Sequence, residues 1–103
     1  MKKIVEGKRY DTETATLIGE YSYGYRGDFE RIHEGLYRTK TGNYFVAGTG
    51  GPKTRYSVQV EQNCWSGSSD IYPLAKDEAL EWAQAHLDAQ EIEDEFAPMI
   101  ADA

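Results

Sequence analysis

Cysteine is almost absent from this chain, since Cys64 is the only one among 103 residues. A lone thiol excludes an intramolecular disulfide and is typical of a protein kept in a reducing compartment. No apolar run approaches the roughly 18 residues that a membrane span requires. The opening stretch MKKIVEGKRY also lacks the apolar core of about 7–15 residues that signal peptides contain. We therefore expect a cytoplasmic protein that has no membrane partner.

Side chains suited to catalysis or metal binding are scarce as well. Besides Cys64, the soft or imidazole groups are His33 and His86. A thiol nucleophile needs a base within hydrogen-bond reach, and a structural zinc site usually needs about four ligands. Carboxylates such as Asp77 and Glu81 would share one environment on an exposed helix, whereas acid–base catalysis needs two different ones. We expect no catalytic residue, no metal site and no cofactor.

A glycine-rich stretch, Gly48–Thr54 (GTGGPKT), has some of the letters of a phosphate-binding loop. In that motif a Gly stands directly before the Lys, and backbone N–H groups converge on the phosphate. Here Pro52 stands before Lys53 and removes one N–H group from the loop. The stretch therefore predicts a turn after a strand and not a nucleotide site.

The length and composition predict one folded domain. A chain of 103 residues is near the usual domain size. Its 40% of hydrophobic residues and 13% of aromatic residues are typical of a globule with a core. We expect residues 1–103 to form a single domain, in which residues 97–103 are a loose tail around Pro98.

Charge is distributed unevenly along the chain, whose formal net charge is −7. Residues 1–76 hold all 11 Lys and Arg and carry a net charge of about +2, whereas residues 77–103 contain no Lys or Arg and carry about −9. A purely anionic segment attracts a basic protein surface and repels a phosphate backbone. We expect a basic protein partner and no direct contact with nucleic acid. The alternative is a solvated face that only maintains solubility.

A β-hairpin is predicted around the polar break Thr41-Gly42. The flanking runs, Leu36–Lys40 and Asn43–Ala47, are rich in aromatic and β-branched residues. If Lys40 pairs with Asn43, Arg38 faces Phe45, and one face of the hairpin carries Tyr37, Tyr44 and Val46.

The C-terminal part predicts helices. Apolar residues at helical spacing predict a helix over Lys76–Leu87, and a second short helix is expected over Ala89–Phe96. Carboxylates occupy the outer side of both segments. Together with the hairpin, these patterns predict an α+β fold, in which a small antiparallel sheet built on the central hairpin packs against one main acidic C-terminal helix.

The sequence also gives predictions for three other features, for some of which alternatives remain open. Thr12–Ile18 suits a strand, which we favour, or a short helix capped by Asp11 or Thr12. Gln62–Asp70 is predicted to be a loop from which Trp65 folds back onto the body. The tyrosines are expected to be structural residues of the sheet. A stacking platform for single-stranded nucleic acid is the less favoured interpretation, and it would combine the tyrosines with Arg26, Arg31, Arg38 and Arg55.

Three segments together resemble a family of small proteins carried by phages and other bacterial mobile elements, among which are anti-CRISPR proteins. They are KKIVEGKRYDTETA (Lys2–Ala15), LYRTKTGNYFVAGTGG (Leu36–Gly51) and IYPLAKDEALEWAQAHL (Ile71–Leu87). This chain has Ala75 where the resemblance implies a Ser or Thr before the helix. The resemblance implies an inhibitor in the cytoplasm of a host bacterium that binds a subunit of a CRISPR-Cas effector.

Charge and resemblance together give one hypothesis for the function. An acidic surface would occupy the basic nucleic-acid-binding site of the effector and block target DNA. The predicted partner-binding residues are Asp77, Glu78, Glu81, Asp88, Glu91, Asp94 and Glu95, with Tyr21, Tyr23 and Tyr25 as apolar anchors. The alternatives are a non-catalytic interaction protein that binds another basic host or phage protein and, less favoured, a small enzyme. A monomer and a homodimer both remain open.

Overall fold

The computed structural model describes residues 1–25 and 27–103. Its elements are β1 (Lys2–Val5), β2 (Lys8–Asp11), β3 (Thr16–Tyr23), β4 (Ile32–Arg38), β5 (Tyr44–Gly50), β6 (Val58–Glu61), β7 (Cys64–Ser66), β8 (Ser68–Leu74), α1 (Lys76–His86), α2 (Ala89–Phe96) and a 3₁₀ turn (Ala97–Met99). All paired strands are antiparallel. The predicted α+β class with antiparallel strands is therefore confirmed. Over the described ranges, neither helix has the length and apolarity needed to cross a membrane.

The strands form one four-stranded sheet and two separate hairpins. The order in the sheet is β3-β4-β5-β8, while β1 pairs with β2 and β6 pairs with β7. Both helices pack on one face of the sheet, over a core of Leu36, Tyr44, Val46, Ala79, Ala83 and Phe96. The opposite face is covered by the β1–β2 hairpin through a second cluster of Tyr10, Phe45, Ala47 and Ile71.

The pairing of β4 with β5 is shifted by one residue from the predicted register. Arg38 lies opposite Tyr44, and not opposite Phe45 as predicted. Because side chains alternate between the faces of a sheet, the shift moves Tyr37 away from the helices and brings Leu36 to the helix side. The ring of Tyr37 stacks on Phe45 with 5.2 Å between the ring centroids. The predicted grouping of Tyr37 with Tyr44 on one face is therefore wrong.

The loop between these two strands explains the shift. The Thr39 N–H donates to the Asn43 carbonyl over 2.8 Å, and the Gly42 N–H donates to the Thr39 carbonyl over 2.9 Å. Gly42 has a φ of 92°, a left-handed conformation that glycine adopts at little cost. A loop closed by these bonds excludes Lys40 from the strand pairing, whereas the prediction placed Lys40 opposite Asn43.

The segment Thr12–Ile18 contains a turn followed by a strand. The turn is held by Asp11, whose carbonyl accepts the Ala15 N–H over 3.1 Å and whose carboxylate accepts the Glu13 N–H over 3.0 Å. β3 begins at Thr16. The preference for a strand is therefore correct only from that residue onward, and the alternative of a helix is wrong.

The prediction of a loop over Gln62–Asp70 is also wrong. β6 and β7 are joined by a turn at positions 62 and 63, where Asn63 has a φ of 60°, and β8 begins at Ser68. Trp65 lies on β7 with 55% of its surface exposed, so it does not fold back onto the body. Both strands of this hairpin are exposed along their length, which explains why polar residues can form them.

A buried carboxylate connects several elements on the helix side of the sheet. Glu34 of β4 is only 4% exposed. It accepts hydrogen bonds from the Tyr56 hydroxyl at 2.6 Å, the Tyr72 hydroxyl at 2.6 Å and the Trp82 indole N–H at 2.9 Å. These donors belong to the segment before β6, to β8 and to α1. Gly48 of β5 leaves the necessary space, since a Cβ there would lie 1.9 Å from the Tyr56 hydroxyl oxygen.

Hydrogen bonding keeps Glu34 ionised in this position. Burial by itself would raise the pKa of Glu34, but the bonds from Tyr56, Tyr72 and Trp82, with the nearby Arg55 cation, lower this pKa below its ordinary value. Burial and the bond to Glu34 raise the pKa of Tyr72 to about 12. The Arg55 guanidinium lies over the Tyr72 ring, 3.7 Å from its centroid, in a cation–π contact.

The raised pKa of Tyr72 predicts a loss of stability in alkaline solution. The unfolded chain ionises this hydroxyl near its ordinary pKa of 10.0, whereas the folded chain holds the proton up to about 12. The contribution of Tyr72 to the free energy of unfolding should therefore be fully present below pH 10 and be lost as the pH rises through about 12. Urea unfolding between these pH values should show a flatter decline for Tyr72→Phe than for the unchanged protein. Tyr25→Phe, at an exposed position, should not alter the decline, and equal slopes for all three proteins would contradict this account.

Candidate functional site

α1 follows β8 directly, and Glu78 stabilises its first turn. Ala75 occupies the N-cap position and has no side-chain acceptor. The Glu78 carboxylate accepts the Ala75 N–H over 2.8 Å, which is one half of a capping box. The helix therefore begins at Lys76 without the Ser or Thr that the family resemblance implies, and Glu78 remains exposed.

The two sides of α1 differ in chemistry. Ala79 and Ala83 are fully buried against the sheet. With about 100° of rotation per residue, Asp77 and Glu81 lie on the opposite side of the helix, one turn apart. Both are exposed, and Asp77 is also placed favourably in the first turn, where the helix dipole attracts negative charge.

The acidic residues of α2 have two different roles. Asp88 is the N-cap, and its carboxylate accepts the Glu91 N–H over 2.9 Å, while the Glu91 carboxylate lies 3.4 Å from the Asp88 N–H. These two residues complete a capping box. Glu91 is half-buried, so this predicted partner-binding residue is not among the exposed acids defined below. Glu93 and Asp94 are exposed, and Asp94 accepts a bond of 2.8 Å from the Gln90 side chain.

Among the described residues, Glu95 differs from the other predicted partner-binding acids because it pairs with a cation, and its side chain is only 10% exposed. Its carboxylate pairs with the Arg38 guanidinium and accepts the Tyr44 hydroxyl over 2.5 Å. Burial and the bond to Glu95 raise the pKa of Tyr44 to about 12. A carboxylate neutralised in this way inside the protein is not offered to a partner, so Glu95 is left out of the surface defined below.

The three predicted tyrosine anchors lie in different surroundings. The Tyr21 ring stacks on the His86 ring of α1 with 3.9 Å between centroids, so one side of this ring is covered. Tyr23 is the last residue of β3 and is 55% exposed. Tyr25 lies beyond the strand and is 77% exposed. The period-two spacing therefore places only Tyr21 and Tyr23 on one side of a strand.

Within the described residues, the remaining acids of the helices form no ion pair with a cation of the chain. The ion pairs among the described residues are Lys3–Asp70, His33–Glu20 and Arg38–Glu95. Across residues 1–25 and 27–103, Glu95 is thus the only acid of the 77–103 segment that pairs with a cation. We define the acidic helical surface as the exposed acids of α1, α2 and their junction, namely Asp77, Glu78, Glu81, Asp88, Glu93 and Asp94.

Among the described residues, the three arginines of the proposed nucleic-acid platform make separate contacts. Arg38 binds Glu95, and Arg55 covers Tyr72. The Arg31 guanidinium donates to the Asp28 carbonyl over 3.3 Å. Arg26 lies outside the described residues.

β3 and β4 bring together a serine–histidine pair that was not predicted from the sequence. The Ser22 hydroxyl lies 2.6 Å from His33 Nδ1, and His33 Nε2 lies 3.7 Å from a Glu20 carboxylate oxygen. The signal is the alternation of Glu20 and Ser22 along one strand, but their partner becomes visible only once the strand register is known. The histidine–glutamate distance exceeds a hydrogen bond, and the side chains of His33 and Glu20 are about half exposed. Ser22 and His33 are thus within hydrogen-bond reach of each other, while Glu20 forms no hydrogen bond to His33 in this structure.

The structure offers little for metal binding in the part of the chain that it describes. No three His, Cys, Asp or Glu side chains of residues 1–25 and 27–103 lie close enough together to hold a metal ion. Cys64 is exposed on the β6–β7 hairpin. The acids of α1 and α2 are spread along helices and do not converge on a point.

Glu95 and Glu93 form a matched pair for testing the internal and external roles of the acids. Glu95→Gln removes the charge that binds Arg38 and Tyr44, so it should lower the free energy of unfolding by about 1–3 kcal/mol. Glu93→Gln, at an exposed position of the same helix, should change the free energy of unfolding by no more than about 0.5 kcal/mol. Urea unfolding at neutral pH measures both values. Equal effects would show that the Arg38–Glu95 pair does not stabilise the fold.

Comparisons with protein-family models, curated proteins and solved structures find no match for this chain.

Proposed function

We propose that this chain is a non-enzymatic inhibitor that presents the acidic helical surface to a basic nucleic-acid-binding site of a CRISPR-Cas effector. Occupying that site would block the binding of target DNA. The observation that carries the proposal is the absence of internal cations at the acids of α1 and α2 over the described chain, with Glu95 excepted. The choice of a CRISPR-Cas effector as the target follows from the family resemblance.

The sheet provides the rigid support that such a surface needs. In this proposal the hairpin of β4 and β5 is the centre of the scaffold, and α1 is the main acidic helix packed against it. Leu36 and Val46 of the hairpin form one core with Ala79 and Ala83 of α1. The bond from Trp82 to Glu34 fixes the same helix over β4. Because the shared core and the Trp82–Glu34 bond both hold α1 in place, its outer surface loses little conformational entropy when it binds.

The spacing of the acids is comparable to the spacing of the phosphates that a DNA-binding site of the partner recognises. Along α1, the rise of about 1.5 Å per residue places Asp77 and Glu81 about 6 Å apart. Successive phosphates of one DNA strand are about 3.4 Å apart along the helix axis, so this distance is close to two phosphate steps. Lysines and arginines that neutralise phosphates therefore find carboxylates at a comparable separation.

Electrostatics defines how such an inhibitor would act. Opposite charges accelerate encounter and select basic partners, but they are screened over about 8 Å at physiological salt. Lasting affinity usually comes from apolar contacts at the centre of an interface. The inhibitor should therefore associate more slowly as salt increases, while its dissociation depends less on salt.

Charge reversal of the acidic helical surface tests the proposal. Asp77→Lys, Glu81→Lys and Asp94→Lys in one variant should weaken inhibition by about tenfold or more, since several attractive contacts become repulsive. The readout is plasmid interference by CRISPR systems of several types in bacteria that produce the variant. DNA binding by the inhibited effector is then measured with purified proteins.

The matched control reverses the charge of three exposed acids that lie outside the helices. Glu6→Lys, Glu13→Lys and Glu30→Lys change the net charge by the same amount, and this variant should inhibit like the unchanged protein. Circular dichroism establishes that both variants are folded. An equal loss of inhibition in the two variants would show that inhibition depends on the net charge of the protein and not on the acids of the helices. Interference that continues with the unchanged protein in every CRISPR type would reject the proposed target, and the rival function, binding of another basic host or phage protein, would then take its place.

A further inference from the structure

A shallow apolar groove lies between α1, α2 and the C-terminal segment. Its volume is about 380 Å³, and Leu80, Ile92, Met99 and Ile100 line it. Leu80 and Ile92 pack on the helix core on their inner side and are half-buried. Met99 and Ile100 are 37% and 41% exposed. The groove is therefore apolar surface that is left in contact with water in this chain.

Negative charge lies in the wall of the groove and on the neighbouring turn of α1. Glu93 of α2 lies in its wall, and Glu81 follows Leu80 about 100° further around α1. All the lining residues belong to the 77–103 segment, which contains no Lys or Arg. An occupant must therefore bring apolar side chains and positive charge together.

We propose that this groove is the anchor site for a basic amphipathic helix of the partner protein. Its apolar side would cover Leu80, Ile92, Met99 and Ile100, and its lysines and arginines would face Glu81 and Glu93. Helices are commonly recognised in this way, with the apolar face in a groove and the polar face at the rim. The inference rests on the proposed function, because it names the element of the partner that the acidic helical surface receives.

Charge complementarity favours the groove over the tyrosines as the apolar anchor. Tyr23 and Tyr25 line a smaller hollow of about 240 Å³ that also contains Arg31 and His33. The Arg31 cation there would repel a basic partner. One side of the Tyr21 ring is covered by His86. The groove, in contrast, combines exposed apolar surface with uncompensated acids.

The test uses two synthetic peptides of equal charge. One is a helix with leucines on one side and lysines on the other, and its analogue has serine in place of every leucine. Binding to the full chain is measured by calorimetry at several salt concentrations, and the contact site is mapped by NMR shifts of the methyl groups. The leucine peptide should bind at least about tenfold more tightly than the serine peptide, because only the leucine peptide buries apolar surface. The largest shifts should fall on Leu80, Ile92, Met99 and Ile100.

Matched variants locate the binding. Met99→Gln with Ile100→Gln should weaken the leucine peptide about tenfold and leave both the serine peptide and the salt dependence unchanged. Both residues lie after α2 and are partly exposed, so the core stays intact. Val58→Gln with Val60→Gln makes the same kind of change on the exposed strand β6 and should have no effect. The inference is overturned if the groove variant binds normally, if the β6 variant loses as much, or if the shifts fall on Tyr23 and Tyr25.

The peptide experiment separates this inference from the proposed function. Selective binding of the leucine peptide in the groove, together with unimpaired CRISPR interference, would keep the groove as an anchor for basic helices and reject the CRISPR-Cas target. Inhibition that is lost on charge reversal but unchanged by Met99→Gln with Ile100→Gln would keep the proposed function and reject the groove.

Discussion

The carboxylate of Glu34 accepts side-chain hydrogen bonds from three separate parts of the described chain. Its two oxygens receive hydroxyls from the segment before β6 and from β8, and an indole N–H from α1. A buried charge without these donors would be expensive, whereas with them it specifies one arrangement of its neighbours. The position of α1 over the sheet, and so the direction of its outer acids, depends on this group. Gly48 belongs to the same arrangement because its missing side chain admits the Tyr56 ring.

Local structure could be predicted from the sequence. Features that depend on contacts between residues far apart in the sequence could not. The alternation of apolar and polar residues and the 3.6-residue spacing are local properties, so strands on the N-terminal side and helices on the C-terminal side could be expected. The register of β4 and β5 depends on one loop bond between Thr39 and Asn43, and a loop one residue longer changes which face each side chain occupies. In the β6–β7 hairpin, Val58 and Val60 alternate with polar residues over only four positions, and the three residues of β7 show no such pattern. The local pattern is therefore too short to predict this exposed hairpin.

The same limit on prediction applies to the acids of the C-terminal segment, which form the candidate site. Asp94 and Glu95 are neighbours with nearly the same chemistry, yet one is exposed and the other binds Arg38 from a strand far away in sequence. Composition predicts the total charge of the segment and cannot assign the internal partner. Glu34 could have been suspected, since it lies between Ile32 and Leu36 on the inward side of a strand. Its three donors come from sequence positions 22 to 48 residues away, and no local pattern identifies them.

The two tryptophans have different environments, and this gives the molecule two fluorescent reporters. Trp82 is half-buried and donates to a buried carboxylate, whereas Trp65 is more than half exposed on the β6–β7 hairpin. A water-soluble quencher reaches the exposed indole more readily than the half-buried one. Emission from the native protein is therefore a mixture of a strongly and a weakly quenched component. With Trp65 replaced by Phe, the remaining signal follows the junction of α1 with the sheet alone, without any attached dye.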